Sequence, residues 1–560
     1  MKKVYFLLLF LILLGICIRI PLFNQEEFIN PDGIAYARLG QNLIERSEYS
    51  FRENHNWGII FPPGYPLFIG LTNLVVNDLF IAGKIVSLLA SILTIVIFYF
   101  LGKELHNENV GVFAATAFTM YPFIIRTATQ VLTESLFFLF FFLSLYLFFR
   151  LYKTRTKLLL VLFSITVAGT YLIRPEGVFL LVLPILFLRS QEKTKNGMKR
   201  WNILPDINNL LRVVFILVIV ILIAFPYISF ITESTGHITI SGKSGMNVLV
   251  GEVVTGGDYE KIVYSLNEEK NQIDIFEKNN NVSLLGYIGD NPTEFRQRFF
   301  NNILNEIKWI FLLAIPIIIP LLFSFLNKGF LKDTQNKIII TLIILFVLIY
   351  ACFFINFARF MLPIILLLLL LSLTGFVHST KIITQKITLH RIKRNMFVRF
   401  IEKNSKRIIV LFLIVSSIPY IVYYGFMYEH DLTEYVDAAS FLKEKYPEYE
   451  QINVMSRRPE ISFYSEAKYT NLPYANYKDI IHFGKLYNVD FIVIDEGNLE
   501  KWDNYEELTQ MDKLSDDVTL VYDDSSKTYR IQIFEMNNRE DGITLYNQFF
   551  NEKVVFPVSS

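Results

Sequence analysis

Residues 30–43 read Asn-Pro-Asp-Gly-Ile-Ala-Tyr-Ala-Arg-Leu-Gly-Gln-Asn-Leu, and residues 61–69 read Phe-Pro-Pro-Gly-Tyr-Pro-Leu-Phe-Ile. The first run begins as a helix should, because Asn30 suits the N-cap, Pro31 the first helical position and Asp32 the first turn. Apolar side chains then recur along one side, which is typical of a helix lying on a membrane surface: Ile34, Ala35, Ala37, Leu39, Leu43 and Ile44. The pattern places Asp32 at the positive end of a helix dipole, at the boundary between water and lipid.

A carboxylate that a helix dipole keeps ionised beside a membrane can accept a proton from an alcohol or an amine. Asp32 is therefore a candidate catalytic base. The alternative is that Asp32 only stabilises the start of its helix, and this stretch alone does not decide between the two.

The composition is that of a membrane protein. Of the 560 residues 53% are hydrophobic, and the mean hydropathy is +0.39, too high for a soluble chain of this length. Apolar runs predict a polytopic α-helical fold with about eleven transmembrane helices. We place them at 4–22, 79–101, 110–125, 133–149, 157–173, 177–189, 210–230, 308–326, 337–356, 360–378 and 407–425, with a further half-buried helix at 63–77.

The positions of Lys and Arg predict the orientation in the membrane. They gather before the first span and in the connections near residues 150, 195 and 390. All of these lie on one side if the spans alternate, and the positive-inside rule makes that side cytoplasmic. We therefore expect a multi-pass plasma membrane protein with a cytoplasmic N-terminus. The first span is predicted to be an uncleaved anchor, since no Ala-x-Ala site follows it.

The chain is predicted to form two domains, a transmembrane domain at 1–425 with exterior loops 24–78 and 231–305, and an extracytoplasmic α/β domain at 426–560. The second domain shows helix and strand patterns in turn, with no Gly-x-Gly-x-x-Gly. Its predicted elements are a helix at 432–446, a strand at 452–456, a helix opening at Arg457, an extended piece at 468–472, a helix at 476–487, a strand at 491–494 and a hairpin around 523–527.

Three further charged residues lie at the ends of predicted spans. Glu134, in Thr133-Glu134-Ser135, enters the fourth span from outside as a second candidate acid, or is simply a helix-start acid. Arg174 and Glu176 flank a proline between the fifth and sixth spans. Charges at this depth are costly unless paired or functional, so they form either a structural ion pair or a substrate contact.

Two basic residues could meet an anionic head group. Arg359 lies alone in an apolar stretch, where its guanidinium either binds a phosphate or reaches towards water. Lys243 lies in Ser-Gly-Lys-Ser-Gly, which lacks the upstream glycine of a nucleotide-binding loop. Lys243 could close over an anion, or be a solvated loop lysine.

Several classes of site are not indicated. The seven histidines lack metal-ligand spacing, and both cysteines lie in predicted spans, so the exterior regions carry no disulfide. Topology explains the basic loops, so nucleic acid binding is not indicated. We predict no cofactor, although Asp32 and Glu134 could hold a divalent cation between them.

Six short motifs together resemble one family. They are Asp32 with Tyr36 and Asn42, Pro62-Pro63-Gly-Tyr65-Pro66-Leu-Phe, Thr133-Glu134-Ser135, Arg174-Pro-Glu176-Gly, Arg359-Phe-Met-Leu-Pro363, and Ser456-Arg-Arg-Pro459-x-Ile-x-Phe-Tyr464. With these motifs the chain resembles the GT-C superfamily of membrane glycosyltransferases, specifically the family 39 protein O-mannosyltransferase-like group, which is related to the lipid A aminoarabinose transferases.

The resemblance implies transfer of a sugar from a polyprenyl-phosphate donor to a lipid, protein or cell-wall glycan acceptor on the outer face. It implies Asp32 as the catalytic base and Glu134 as a second acid, with inversion by single displacement. The matched motifs make Tyr36, Pro63, Tyr65, Arg174 and Glu176 substrate-binding candidates.

The chain departs from the family pattern at two positions. Gly33 stands where many relatives have Glu, and Phe61 stands where they have a basic residue. The phosphate contact would then come from Arg359, or from Arg174 or Lys243. A flippase for lipid-linked sugars and a glycan ligase or polymerase are the alternative functions.

Overall fold

The computed structural model describes residues 2–25, 28–51, 56–188, 191–193, 199–201, 207–256, 259–275, 278, 282–325, 330–353, 358–372, 433–446 and 452–537. The chain forms two compact units. Unit one consists of Met1–Glu26, Gly83–Ser229 and Thr293–Tyr428. Unit two consists of Glu27–Ala82, Phe230–Pro292 and Glu429–Ser560, so the C-terminal region shares its unit with most of both predicted exterior loops.

Apolar helices dominate the first three-quarters of the chain. Five are long and apolar enough to cross a membrane: Val4–Gln25, Leu79–Leu105, Glu134–Thr154, Ile207–Thr235 and Thr334–Cys352. Shorter apolar helices are Gly64–Val76, Lys157–Ile173, Pro175–Phe187 and Ala358–Ser372. The other helices before residue 330 are Pro31–Glu45, Asn56–Ile60, Glu108–Met120, Pro122–Thr127, Ser244–Gly256, Tyr259–Tyr264, Leu284–Asp290, Pro292–Ala314 and Ile318–Phe325.

The polytopic helical fold predicted from hydropathy is confirmed, although only five of the predicted spans reach full length within the described residues. Proline explains two of the short helices. Pro122 separates Glu108–Met120 from Pro122–Thr127, and Pro175 opens a 3-10 turn after Lys157–Ile173. Proline removes a backbone donor and clashes with the preceding turn, so an apolar run need not become one helix. The predicted span 407–425 and the end of 360–378 lie outside the described residues.

A five-stranded sheet organises the C-terminal region. Its strands are β3 (Asn453–Ser456), β4 (Lys468–Asn471), β5 (Phe491–Asp495), β6 (Val518–Asp524) and β7 (Ile531–Met536), in the order β4-β3-β5-β7-β6. The pairs β3–β4 and β3–β5 are parallel, whereas β5–β7 and β6–β7 are antiparallel. A separate hairpin pairs β1 (Gln191–Lys193) with β2 (Lys199–Trp201).

Helices cover both faces of this sheet, which confirms the predicted mixed α/β fold. They are Thr433–Lys445, Glu460–Tyr464, Tyr477–Leu486, Glu496–Leu499, Tyr505–Leu508 and Met511–Leu514. One buried cluster packs around Ile492 and Phe534, and the other around Val493 and Ile533, so alternate residues of β5 and β7 face opposite sides. The helix expected to open at Arg457 begins at Glu460 instead, because Pro459 occupies its N-cap position.

The helix Pro31–Glu45 packs closely against Gly64–Val76. A Cβ at Gly40 would lie 2.3 Å from the carbonyl oxygen of Pro66, and one at Gly70 would lie 2.3 Å from that of Gly40. Only glycine lets the two backbones approach so closely. Residues 33–40 are buried without interruption. The expectation of a helix with one apolar side is therefore wrong, and even Arg38 is enclosed, donating to the carbonyls of Ser462 and Phe463.

The segment 259–275 is fixed to the C-terminal sheet region by ion pairs and backbone bonds. Arg457 holds Glu260 with two hydrogen bonds, of 2.8 and 3.0 Å. Lys270 pairs with Asp479 at 2.7 Å. The backbone N–H of Tyr474 donates to the carbonyl of Tyr264, as in a strand pairing. Because the polar loop is tied at several points, it forms a wall of unit two.

Candidate functional site

Four of the charged residues singled out in the sequence form one buried cluster in unit one. Arg174 lies at its centre, donating from Nη1 to Glu134 at 3.2 Å and from Nη2 to Glu176 at 3.1 Å. The Nε of Arg359 lies 3.9 Å from the same Glu134 oxygen, Oε1. The hydroxyl of Tyr350 donates to Glu176. The predicted ion pair between Arg174 and Glu176 is thus present, with Glu134 as a further member.

The elements explain how these charges meet. Glu134 opens the helix Glu134–Thr154, Arg174 ends the helix Lys157–Ile173, and Glu176 lies in the 3-10 turn that follows Arg174. Arg359 belongs to another 3-10 turn, Ala358–Met361. Helix ends carry unpaired backbone groups and tolerate charge, so one cluster can form where several ends come together.

Aromatic rings hold Arg174 in place. The rings of Phe137 and Phe360 each lie 5.4 Å from the Arg174 guanidinium carbon, a distance suited to cation–π attraction. The carboxylates of Glu176 and Glu134 match the charge of Arg174, and an arginine stays ionised in proteins. Arg174 is consequently a cation already satisfied by protein groups.

Arg359 has a more open environment than Arg174. A third of its side chain, 33%, is exposed, against 9% for Arg174. The second oxygen of Glu134, Oε2, is buried and accepts no hydrogen bond. Of the two arginines, Arg359 is the one that a ligand could reach from solvent.

In unit two, Asp32 lies where its sequence predicts. Asn30 caps the helix Pro31–Glu45, accepting a 2.8 Å hydrogen bond from the Gly33 N–H, and Asp32 lies in the first turn. The four-residue spacing of Asp32 and Tyr36 puts them on one stripe of this helix, beside the stripe of Pro31 and Ala35. Asp32 is half-buried.

The other predicted residues of unit two gather around Tyr36. Its ring meets Phe61 edge-on at 4.8 Å and Tyr65 at 5.3 Å. The Lys243 ammonium lies 5.5 Å from the Phe61 ring. Lys243 therefore brings a cation to Phe61, the position where the resemblance leads us to expect a basic residue. Pro63 is the N-cap of Gly64–Val76 and does not belong to this aromatic group by any contact described.

A cavity of about 60 Å³ opens beside Asp32 in unit two. Pro31 and Ala35 line one side, and the residues after β3, Arg457 and Arg458, line another. The remaining wall residues that bear on its chemistry are Tyr264, Tyr469 and Asn471. Burial raises the pKa of Tyr264, against the opposing effect of the Arg457 charge. Asp32 is the chain neighbour of Pro31, which lines the cavity.

Both arginines of the cavity are held by carboxylates. Arg457 stacks on the Tyr264 ring, 3.5 Å from its centroid, while pairing with Glu260. Arg458 pairs through Nη2 with Glu460 at 2.5 Å. Glu460 is fully buried, and burial raises its pKa to about 7 despite the opposing effect of Arg458. Near neutral pH, Glu460 therefore cancels the charge of Arg458 only in part.

Sequence reasoning missed most of this cavity. It singled out Ser456-Arg-Arg-Pro459 only as part of a resemblance, and it assigned no role to Glu260, Tyr264 or Asn471. One feature of the sequence could have pointed to the two arginines: they directly follow a predicted strand. Ligand sites often lie at the carboxyl ends of parallel strands.

Asp32 belongs to unit two and Glu134 to unit one. Within the described ranges, no group of three or more His, Cys, Asp or Glu side chains could hold a metal ion. The divalent cation considered from the sequence therefore has no ligand set among these residues, and we derive no step through it.

One family model and several solved structures resemble this chain. Residues 61–227 match the family described as dolichyl-phosphate-mannose-protein mannosyltransferase. No curated protein matches the sequence.

Solved structures share the fold at low sequence identity. Oligosaccharyltransferase AglB from Archaeoglobus fulgidus, in complex with an inhibitory peptide and a dolichol-phosphate, is 14% identical with a TM-score of 0.58, and the match covers 94% of this chain and 74% of that one. The apo form of the oligosaccharyltransferase from that organism gives the same identity and TM-score, with coverage of 91% and 71%.

ArnT from Cupriavidus metallidurans bound to undecaprenyl phosphate is 9% identical with a TM-score of 0.51, and the match covers 95% of this chain and 97% of that one. These likenesses establish the fold, and the family match adds a mannosyltransferase-like segment. The chain is thus a membrane protein with the fold of the GT-C superfamily, and it resembles the protein O-mannosyltransferase-like glycosyltransferases of that superfamily.

Proposed function

We propose that this protein transfers a sugar from a polyprenyl-phosphate donor to an acceptor at the outer face of the membrane, with Asp32 as the catalytic base. The observation that carries the proposal is the position of Asp32, in the first turn of a capped helix whose residues Pro31 and Ala35 line a cavity with hydrogen-bond donors. The GT-C fold and the family match at 61–227 support the reaction class. Relatives of this fold bound to dolichol-phosphate and undecaprenyl phosphate support the donor class.

The proposed reaction is a single displacement. The acceptor oxygen forms a bond to the anomeric carbon while the bond from that carbon to the donor phosphate breaks. Asp32 takes the proton of the acceptor hydroxyl, and polyprenyl phosphate leaves with the bonding electron pair. Attack opposite to the leaving group inverts the anomeric configuration. The dipole of Pro31–Glu45 favours the ionised form of Asp32, which is the form a base needs.

Fixed cations would offset the charge that builds on the departing phosphate. In unit one, Arg359 is our first choice, because Arg174 is already engaged by two carboxylates and Arg359 is the more exposed. In unit two, Lys243 is the candidate, because it lies beside Phe61. Comparing Arg359→Gln with Lys243→Gln in one donor-binding assay would assign the contact, since only the variant that loses the contact should weaken donor binding.

The test of the base is Asp32→Asn in the purified full-length protein. Release of polyprenyl phosphate from a polyprenyl-phosphate hexose, measured with an envelope acceptor fraction, should fall by at least about 100-fold, as expected for loss of a general base. The matched control is Asp78→Asn, another helix-start acid of unit two, which accepts from the Ile81 N–H and whose replacement can keep that bond. Full activity in the folded Asp32→Asn protein would refute the assignment.

The same assay separates the alternatives. A flippase would move the lipid-linked sugar without releasing polyprenyl phosphate. A glycan ligase or polymerase would act on pyrophosphate-linked oligosaccharides and not on the single-sugar phosphate. The outcome for the wild-type protein therefore decides the reaction class before any variant is compared.

A further inference from the structure

We propose that the cavity beside Asp32 binds an oxyanion, a phosphate or carboxylate group carried by the acceptor, through Asn471, Arg457 and Arg458. This deepens the proposed function and rests on it, because it assigns a chemical feature to the acceptor that Asp32 would deprotonate. The reasoning uses unit two alone.

Asn471 provides the leading observation. Its side-chain oxygen accepts a hydrogen bond from the Tyr469 hydroxyl, and the amide nitrogen lies on the other side of the group. The amide nitrogen Nδ2 is buried and has no hydrogen-bond acceptor among the described residues; Asn471 is only 3% exposed and lines the cavity. A buried donor without an acceptor is destabilising. An oxygen atom in the cavity would remove this cost.

The two arginines add donors to the same cavity. Glu260 uses Nε and Nη2 of Arg457, so Nη1 lies outside that ion pair. Glu460 meets only Nη2 of Arg458, and 26% of that side chain is exposed. Guanidinium groups match the oxygens of phosphate and carboxylate in geometry as well as in charge. Arg457, Arg458 and Asn471 thus each direct a donor to this part of unit two.

The position of the cavity suits an anion. It lies where β3 and β4 end, and these strands run parallel, so their carboxyl ends share one edge of the sheet. The helix Pro31–Glu45 begins on the opposite side, and helix N-termini attract negative groups. The two elements therefore direct positive potential into the same space.

Size and charge define the ligand further. The cavity of about 60 Å³ has room for a few water-sized groups, as a phosphate or carboxylate group requires. The three carboxylates Asp32, Glu260 and Glu460 outnumber the two arginines, so anions in general are not concentrated here. Burial raises the pKa of Glu460 to about 7, which leaves Arg458 partly uncompensated at neutral pH. We therefore expect selective but weak binding, as suits one group of a larger acceptor.

The probe is inorganic phosphate, added to the full-length purified protein at constant ionic strength with chloride as the reference salt. A ligand of the native state raises the unfolding temperature in a saturable way. We expect this for the wild type, and about a tenfold weaker apparent Kd for Asn471→Ala. Arg530→Gln is the matched control, because Arg530 forms a partly exposed pair with Asp523 and does not line the cavity. Its response should equal that of the wild type.

Absence of a saturable response in the wild type would overturn the site, as would an unchanged Kd in folded Asn471→Ala. If Asn471→Ala does not fold, Arg458→Lys provides the same comparison. Lysine keeps the positive charge opposite Glu460 but lacks the paired N–H groups of the guanidinium. Phosphate that raises the acceptor KM without lowering kcat supports the acceptor as the source of the anion. If phosphate binds without changing the acceptor KM, the acceptor is not the source of the anion.

Failure of this proposal is distinguishable from failure of the proposed function. Asp32→Asn should lose transfer and still bind phosphate. If Asp32→Asn keeps transfer, Asp32 is not the base, yet the phosphate titration still reports on the cavity.

Discussion

Arg174 and Arg359 look alike in the sequence, each a lone arginine close before a proline in apolar surroundings. The structure separates them by their partners. Arg174 is paired with two carboxylates and lies against two aromatic rings, whereas the Nε of Arg359 lies 3.9 Å from Glu134 and 33% of that side chain is exposed. A buried cation with this many partners maintains structure, and a partly exposed one can meet a ligand.

Substitution of Arg174 should therefore damage the fold more than substitution of Arg359. Arg174→Met leaves the carboxylates of Glu134 and Glu176 without their main counter-ion, and breaking a buried pair costs about 3–5 kcal/mol. Arg359→Met should cost about 1 kcal/mol or less, since exposed pairs contribute little.

Thermal unfolding of the two purified variants in the same detergent measures this difference. Equal losses of stability would show that Arg174 does not anchor the cluster. Loss of transfer in stable Arg359→Met would fit the proposed phosphate contact.

At the scale of elements, the contact between Pro31–Glu45 and Gly64–Val76 decides where Asp32 lies. The helix that carries the proposed base is positioned by Gly40 and Gly70, whose backbones meet closely. Two helices in such contact cannot accept even a methyl group between them without moving apart.

Gly40→Ala should therefore reduce stability by about 1–3 kcal/mol through overpacking. It should also lower transfer, because the helix that bears Asp32 has to shift. Gly289→Ala is the control, since a Cβ there meets nothing within 4 Å. Stability and transfer can be measured on the same purified sample, by thermal unfolding and by release of polyprenyl phosphate. A neutral Gly40→Ala would mean that the helices adjust without cost.

The same elements show how far local sequence signals extend. Asn30, Pro31 and Asp32 predict their helix start correctly, because capping depends on a few adjacent residues. The succession of helix and strand patterns after residue 432 likewise predicts the sheet region. The enclosure of Arg38 and the pairing of Arg457 with Glu260 could not be predicted, since they join residues hundreds of positions apart and no local pattern encodes such contacts.

The candidate site likewise has features that the sequence predicts and features that it does not. The sequence singles out Glu134, Arg174, Glu176 and Arg359 one by one, because charges in apolar surroundings need partners. It does not show that they form one cluster, which depends on how four helix ends and turns meet. Asn471 carries no sequence signal at all, because its unsatisfied nitrogen appears only when its neighbours are known.

At the scale of the whole molecule, the proposed orientation has a direct test. In a background without Cys17 and Cys352, Ser525→Cys places a thiol on the exposed turn between β6 and β7. Asn109→Cys places one on an exposed turn of unit one that the positive-inside rule assigns to the cytoplasm.

A membrane-impermeant maleimide added to intact cells should label Ser525→Cys, whereas Asn109→Cys should react only after permeabilisation. The reverse pattern would place Asp32 on the wrong side for a donor at the outer face. Labelling of both variants in detergent is the control for thiol reactivity.

The ion pair between Arg457 and Glu260 has a consequence for the synthesis of the protein. The two residues are 197 positions apart, so at about 5–20 residues per second Glu260 leaves the ribosome about 10–40 s before its partner. During that interval the segment 259–275 has no C-terminal sheet region to pack against. A nascent chain of this kind is open to proteases until its last third has been translated. Its yield in cells should therefore depend on elongation speed as much as on the finished protein's stability.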